Sequence, residues 1–336
     1  MKTSVLKHKA VIGLIIFTIL AISCTKESFP EPKPKPKVTD YAISTNSLIL
    51  NSIINDIDFK GLDTGFAVGT FLNGIVQEGV ILKTNNAGKD WQKLVSPALL
   101  GQFYSNYFID NQTGWIVGDL GTILKTTNGG TTFTTQTSGT TERLYAVTFA
   151  DANNGVCVGA KGILRTTTNG GATWEVKNSG LTSSTDLRAV YIYNATTIIV
   201  CGSNGVLRRS NDFGLTWGVI TTQETVRLQD MHFPIANIGY ICGQEGVVLK
   251  INLTDNTVTK QYLPVDEQMR AIYFVNEQIG YTSGSYGDLL KTTNGGQNWK
   301  LQNIDPIAYN LYSIDFPTEK QGYIAGVRTL LTTNTK

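Results

Sequence analysis

A five-residue segment closed by glycine recurs seven times along the chain. It reads GFAVG at 65–69, GWIVG at 114–118, GVCVG at 155–159, IIVCG at 198–202, GYICG at 239–243, GYTSG at 280–284 and GYIAG at 322–326. The closing glycines are 49, 41, 43, 41, 41 and 42 residues apart. The long first interval holds an insertion, FLNGIVQE, after Gly69, and the fourth copy has lost its opening glycine. A repeat of about 42 residues confines the fold to solenoids and propellers, because one such unit cannot bury its apolar face alone.

Every copy has the same parts. An apolar run precedes the glycine segment (INDIDF, YSNYF, YAVTF, RAVYI, QDMHF, RAIYF, YSIDF), and GVILKT, GTILKT, GILRTT, GVLRRS, GVVLKI, GDLLKT and RTLLTT follow it. A turn comes next, and in most copies an aromatic residue opens a fourth stretch. Four short strands separated by turn residues make one propeller blade. Glycine and threonine are plentiful and only 16% of residues are charged, which suits strands and turns. The period is shorter than that of kelch repeats, and no Gly-His or Trp-Asp signature marks a WD repeat. The expected fold is all-β: a seven-bladed β-propeller with four-stranded antiparallel blades. Copy seven stops at TTNTK, while YAISTNSLIL (41–50) precedes copy one with no partner. An open ring would leave an unpaired strand edge, so 41–50 is expected to close it as the outer strand of blade seven.

Five of the turns between strands three and four follow a stricter pattern: TNNAGKDW, TTNGGTTF, TTNGGATW, SNDFGLTW and TTNGGQNW. The shared positions are Asn86, Gly88 and Trp91; Asn128, Gly130 and Phe133; Asn169, Gly171 and Trp174; Asp212, Gly214 and Trp217; and Asn294, Gly296 and Trp299. A glycine-rich turn invites a phosphate-binding reading, but a phosphate loop needs a helix behind it. A β-like stretch follows here, so the turns read as scaffold. The Asn or Asp side chain is expected to bind backbone two residues on. The glycine takes a positive φ, and the aromatic ring folds back between sheets. The pattern resembles the Asp-box, or BNR repeat, of sialidases, sortilins and related propellers. Blade five has INLTDNTV in its place.

The chain opens with the positive segment MKTSVLKHK and the apolar run VIGLIIFTILAI, which is shorter than the ~20 residues of a spanning helix. Ser23 precedes Cys24. Residues 1–23 resemble a bacterial lipoprotein signal peptide, which implies lipidation of Cys24. Residues 24–40 alternate proline with lysine and form an extended tether, not a core. The propeller then occupies 41–336. The formal charge is +2, and Lys2, Lys7 and Lys9 supply the excess, so the remainder carries −1. Such near-neutrality argues against nucleic-acid binding. Cys157, Cys201 and Cys242 lie in apolar strands and read as small core residues. His232 is the one histidine after the signal, so no metal, cofactor or histidine-based catalytic site is expected.

Seven copies, the Asp-boxes and the G-x-x-V-G-x-x-G-x-I-L-K-T strand pair resemble the photosystem II stability/assembly factor-like propellers over nearly all of 41–336. The resemblance implies a non-catalytic role in binding proteins and assisting assembly, and an arginine patch where the innermost strands begin. Counting four residues back from the last apolar residue of each first strand gives Asn55, Tyr104, Tyr145, Arg188, Gln229, Arg270 and Tyr312. Arg143 and Arg227 lie two residues further back. Tyr104, Tyr145, Arg143, Arg188, Arg227, Arg270 and Tyr312 are therefore the candidate binding residues at a channel mouth, since Tyr and Arg dominate interaction hot spots. The bland reading packs the tyrosines between blades and pairs the arginines with acids such as Asp186 and Asp230. The strand two–three loops (Asp119, Lys161, Asn204, Glu245, Tyr286, Arg328) share this face, and the insertion from Phe71 to Glu78 is expected to protrude there as a loop. The expected protein is a monomeric outer-membrane lipoprotein, periplasmic or surface-exposed. Its partner is another envelope protein or complex, and its lipid is the only membrane contact. A glycan-binding lipoprotein is the alternative. A sialidase- or glycosidase-like enzyme is a weaker one: the Phe/Tyr-Arg-Ile-Pro segment of sialidases is absent, and large glucanases use two propellers.

Overall fold

The structure is a computed structural model that describes residues 41–73, 76–97, 101–304, 307 and 309–333. Cys24, the signal segment 1–23 and the tether 24–40 lie outside the described residues, as do the last three residues of the copy-seven turn. Seven four-stranded antiparallel sheets are present, and within the first six each strand pairs with the next in chain order. Blade two shows the plan: Phe103–Phe108, Gly114–Gly118, Ile123–Thr126 and Thr134–Gln136. Blade seven draws its outer strand from the other end of the chain. Tyr41–Ile43 pairs with Thr329–Thr333, Tyr41 facing Thr333 and Ile43 facing Leu331.

That strap is shorter than the expected 41–50. The Ser44 N–H still reaches the Leu330 carbonyl at 2.8 Å, but Ser47–Leu50 is one turn of helix. The Asn46 side chain accepts the Leu48 N–H and caps it. The segment TNSLIL thus carries a helix-capping residue ahead of its apolar run. Ile49 is buried among side chains of blades one and seven.

The opening glycine of each repeat has a steric cause. Six first strands reach a phenylalanine whose ring lies against that glycine. A Cβ added at Gly114 would sit 2.3 Å from Phe108, and one at Gly155 would sit 2.3 Å from Phe149. Blade four is the exception on both counts: Ile192 stands opposite Ile198, so ring and glycine are lost together. The phenylalanine rings also stack on the preceding blade. Phe108 lies 3.6 Å from Phe66, Phe149 3.5 Å from Trp115, Phe274 3.5 Å from Tyr240 and Phe59 3.6 Å from Tyr323. Rings this size each bury about 150–250 Å², so these columns hold neighbouring blades together. Closing glycines answer a different need: a Cβ at Gly202 would strike the Asp186 carbonyl at 2.0 Å.

The turns between strands three and four are built by two side-chain contacts. The hydroxyl of Thr84, Thr126, Thr167, Ser210 or Thr292 accepts the N–H of Gly88, Gly130, Gly171, Gly214 or Gly296 at 2.7–3.0 Å. The Asn or Asp oxygen accepts an N–H four residues on, as in Asn169 to Thr173 at 2.9 Å and Asp212 to Thr216 at 2.8 Å. The expected reach of two residues is therefore corrected to four: the side chain spans the whole turn. Trp91, Trp174 and Trp299 are buried edge-on against the phenylalanine of their own first strand, at 5.8–6.1 Å. A further fastening involves the lysine of the ILKT segment. Lys83 Nζ donates to Gly129 O at 2.8 Å and Lys125 Nζ to Gly170 O at 2.9 Å, each reaching the next blade's turn.

The insertion is not a loop but a lengthened hairpin, Gly65–Asn73 with Val76–Thr84, in which Phe71 faces Glu78. Phe71 packs on the blade-one core. Cys157, Cys201 and Cys242 are free, buried thiols in second strands, their pKa values raised by burial.

Candidate functional site

First strands wall a central channel, and the residues at their starts form its mouth. All seven positions counted from the sequence, Asn55, Tyr104, Tyr145, Arg188, Gln229, Arg270 and Tyr312, line one cavity of about 340 Å³. Arg143 and Arg227 stand outside that lining.

The mouth is divided into two arcs. Tyr104 and Tyr145 meet edge to face at 5.3 Å. Asp119 accepts the Tyr104 hydroxyl at 3.0 Å and Arg143 Nε at 2.9 Å, so Arg143 is tied down at this side. Burial, then the Asp119 charge, raises the Tyr104 pKa and keeps the phenol neutral. The other arc places Arg188, Arg227 and Arg270 on blades four, five and six. Arg188 lies 3.8 Å over the Tyr145 ring and Arg270 4.9 Å over Tyr312, so cation–π contacts join the arcs at both seams.

Charge balance on the cationic arc is incomplete. Arg188 donates to Asp186 at 2.8 Å. Among the described residues, neither Arg227 nor Arg270 forms an ion pair. The Nε atoms of all three arginines and Oε1 of Gln229 are buried without a hydrogen-bond partner. Burial and the neighbouring Arg188 charge lower the Arg227 pKa, and burial lowers that of Arg270. An unpaired buried donor costs about 1–3 kcal/mol, a cost the folded ring carries at this arc. The bland reading holds for Arg143 and Arg188, each with an acid. It fails for Asp230, which pairs with no arginine among the described residues.

Below the mouth lie titratable residues that the repeat pattern does not single out. Asp56 accepts the Asn106 N–H at 2.9 Å, Asp58 that of Phe108 at 2.7 Å, Asp230 that of Ile272 at 2.9 Å and Asp315 that of Phe59 at 2.6 Å. His232 Nδ1 accepts the Phe274 N–H at 3.2 Å. Each side chain holds the backbone of the next blade, and three of these latches cross into blade one or leave it. Burial raises Asp56 to about 6, Asp230 to about 7 and Asp315 to about 8, and lowers His232 to about 4. The signal is present in INDIDF, QDMHF and YSIDF as polar residues on alternate positions, but the same alternation describes a solvated strand face.

Fold and site together define a closed propeller with a cationic, aromatic mouth at the start of its innermost strands. The chain belongs to the family described as Photosynthesis system II assembly factor YCF48, which it matches at residues 132–226 and 251–336, more than half of the sequence. A curated relative, Photosystem II stability/assembly factor HCF136 of Oryza sativa subsp. japonica, is 37% identical over 79 residues, 21% of this chain and 18% of that protein. The chain thus spans about a fifth of that relative's length. The solved structure of YCF48 bound to D1 peptide superposes with a TM-score of 0.71 at 18% identity, covering 90% of this chain and 99% of that one. The GH74 enzyme of Niastella koreensis superposes at 0.67 with 16% identity, covering 84% of this chain and 52% of that one. At such identities the superpositions establish the fold alone, and the fold serves binders and enzymes alike.

Proposed function

We propose that this propeller is a non-catalytic binding protein whose arginine arc holds an acidic segment of a partner protein, in the manner of an assembly factor. Three guanidiniums on adjacent blades, with one carboxylate paired among them, carry that reading. Its family membership supports it, and so does the solved YCF48 with its D1 peptide. The channel carboxylates have a structural role that accounts for their presence, since each latches the backbone of a neighbouring blade. The five boxed turns belong to the scaffold as Asp-boxes. We further propose that the protein is a bacterial outer-membrane lipoprotein, held through Cys24 and the 24–40 tether, and that its partner resides in the envelope.

Pull-down from envelope membranes with wild type and the Arg188→Ala/Arg270→Ala double variant tests the site. Loss of the partner from the variant is expected, and unchanged partners would remove the arginines from the proposal. Cys24→Ala is expected to shift the protein from the membrane to the soluble fraction, and mass spectrometry of the mature N-terminus reads the lipid directly.

A further inference from the structure

The hairpin turns between strands two and three rise on the mouth face. Five of them are Leu120-Gly121, Lys161-Gly162, Asn204-Gly205, Glu245-Gly246 and Tyr286-Gly287. The residue before the glycine has φ between +55° and +58°, and the glycine has φ between +62° and +78°. Two successive left-handed residues make the type I′ hairpin, whose preferred sequence is Asn-Gly. Blade four has that sequence. The other four place a larger L-side chain where its β-carbon is strained. In four of the five the glycine also clears a carbonyl, as at Gly287, where a Cβ would meet the Ile307 carbonyl at 2.4 Å. The position before it is thus the one place in the turn where the blades depart from what the fold favours.

Tyr286 is the most telling of these departures. Its side chain is 69% exposed, and Tyr309 on the neighbouring connection is 51% exposed. Among the described residues neither ring has an aromatic, cationic or hydrogen-bonding side-chain partner. The Tyr286 N–H donates to Asn310 Oδ1 at 3.3 Å, and Asn310 Nδ2 donates to the Tyr312 hydroxyl at 3.4 Å. Tyr312 lies under Arg270. Two open rings therefore continue the mouth outward from the arginine arc, in a backbone strained to display one of them. Tyrosine suits such a role, since its broad ring loses little conformational freedom on contact.

We infer that Tyr286 and Tyr309 form a specificity shelf for an apolar side chain of the same acidic segment that Arg270 anchors. This rests on the reading of the arc given above. The occupant is a peptide carrying a carboxylate and, a few residues away, an aliphatic side chain. Continuity of the shelf with the arc through Asn310 and Tyr312 argues for one ligand across both.

The test uses short synthetic peptides with one glutamate in a Gly/Ser background and a single leucine moved along the sequence. Fluorescence polarisation is read with wild type, Tyr286→Asn, Tyr309→Ser and Arg270→Ala. Wild type is expected to gain about tenfold affinity at one leucine spacing. Tyr286→Asn and Tyr309→Ser should each abolish that gain while binding the leucine-free peptide as wild type does. Tyr286→Asn should also raise the Tm, because asparagine is what the turn favours. Tyr309, in ordinary backbone, guards against reading a folding defect as a binding one. Arg270-dependent binding with no leucine preference, or a preference that survives both tyrosine variants, overturns the shelf alone. Failure of wild type to bind any peptide overturns the shelf together with the anchoring reading. Binding of an oligosaccharide that Tyr286→Asn abolishes would replace the peptide by a glycan.

Discussion

The two ends of each blade follow opposite rules. On the face of the strand three–four turns, five blades repeat the same hydroxyl, the same Asn or Asp and the same glycine, and the hydroxyl and the Asn or Asp oxygen are engaged by backbone N–H groups of the turn. At the mouth the corresponding positions read Asn, Tyr, Tyr, Arg, Gln, Arg and Tyr, and four polar atoms around them are buried without partners. Where blades agree, the residues serve ring assembly. Where they disagree and leave polar groups unsatisfied, the fold gains nothing from the choice, and the ligand proposed above would supply the reason.

Four experiments bear on that contrast. The largest effect is expected within the repeated columns. Phe149 lies between Trp115 of the preceding blade and Gly155 of its own, with Trp174 edge-on. Phe149→Ala should lose about 3–5 kcal/mol in urea unfolding, and a loss under about 1 kcal/mol would show that the columns do not bind the blades.

Next comes the arc. Arg270→Ala should weaken binding of an acidic peptide by about 2 kcal/mol or more, while the unfolding free energy holds or rises, because the variant removes a buried donor that has no partner. A stability loss with intact binding would reverse the roles assigned to the two faces.

The channel latches predict a pH dependence. Asp230 near 7 and Asp315 near 8 stand above the ordinary carboxylate range, so the folded ring holds protons that the unfolded chain has released. Their stabilising contribution is complete at low pH and is lost as pH rises through those values. His232, depressed to about 4, works oppositely: its contribution is present above about 6.5 and lost as pH falls toward 4. Between pH 6.5 and 8.5 only the carboxyls act, and stability should fall by no more than about 1.4 kcal/mol per pH unit for each proton. Asp315→Asn should flatten that slope in urea titrations at pH 6.5, 7.5 and 8.5. An unchanged slope would place the titration elsewhere.

The smallest effect belongs to a single turn. Asn169→Ala removes the acceptor for the Thr173 N–H at a surface-exposed site and should cost about 1 kcal/mol in the same unfolding assay. Peptide affinity should be unaffected.

Much of the ring is legible in the order of its residues, and for identifiable reasons. The period of the glycines locates every blade, because each closing glycine must clear a carbonyl and cannot drift. Counting back from the last apolar residue locates the seven mouth positions, because the distance is the same in every blade; each of them sits at a shift in the pairing of its first strand, which the count does not reveal. Ring closure is legible from an unmatched end, but its form is not: Asn46 caps a helical turn where an apolar run suggests more strand. The pairing of Ile192 with Ile198 depends on a contact between strands that sequence spacing does not display. The latching role of Asp230 and Asp315 escapes notice because a lone aspartate in an alternating strand looks the same whether it faces water or a neighbouring blade.

The strap sets the direction in which the molecule presents itself. First strands run from the mouth toward the turn face, and Thr329–Thr333 runs the same way. Tyr41, opposite Thr333, therefore enters at the turn face and Ile43 points toward the mouth. The strap therefore begins on the face opposite the arginine arc, and its three residues carry the chain from the turn side of the ring toward the mouth.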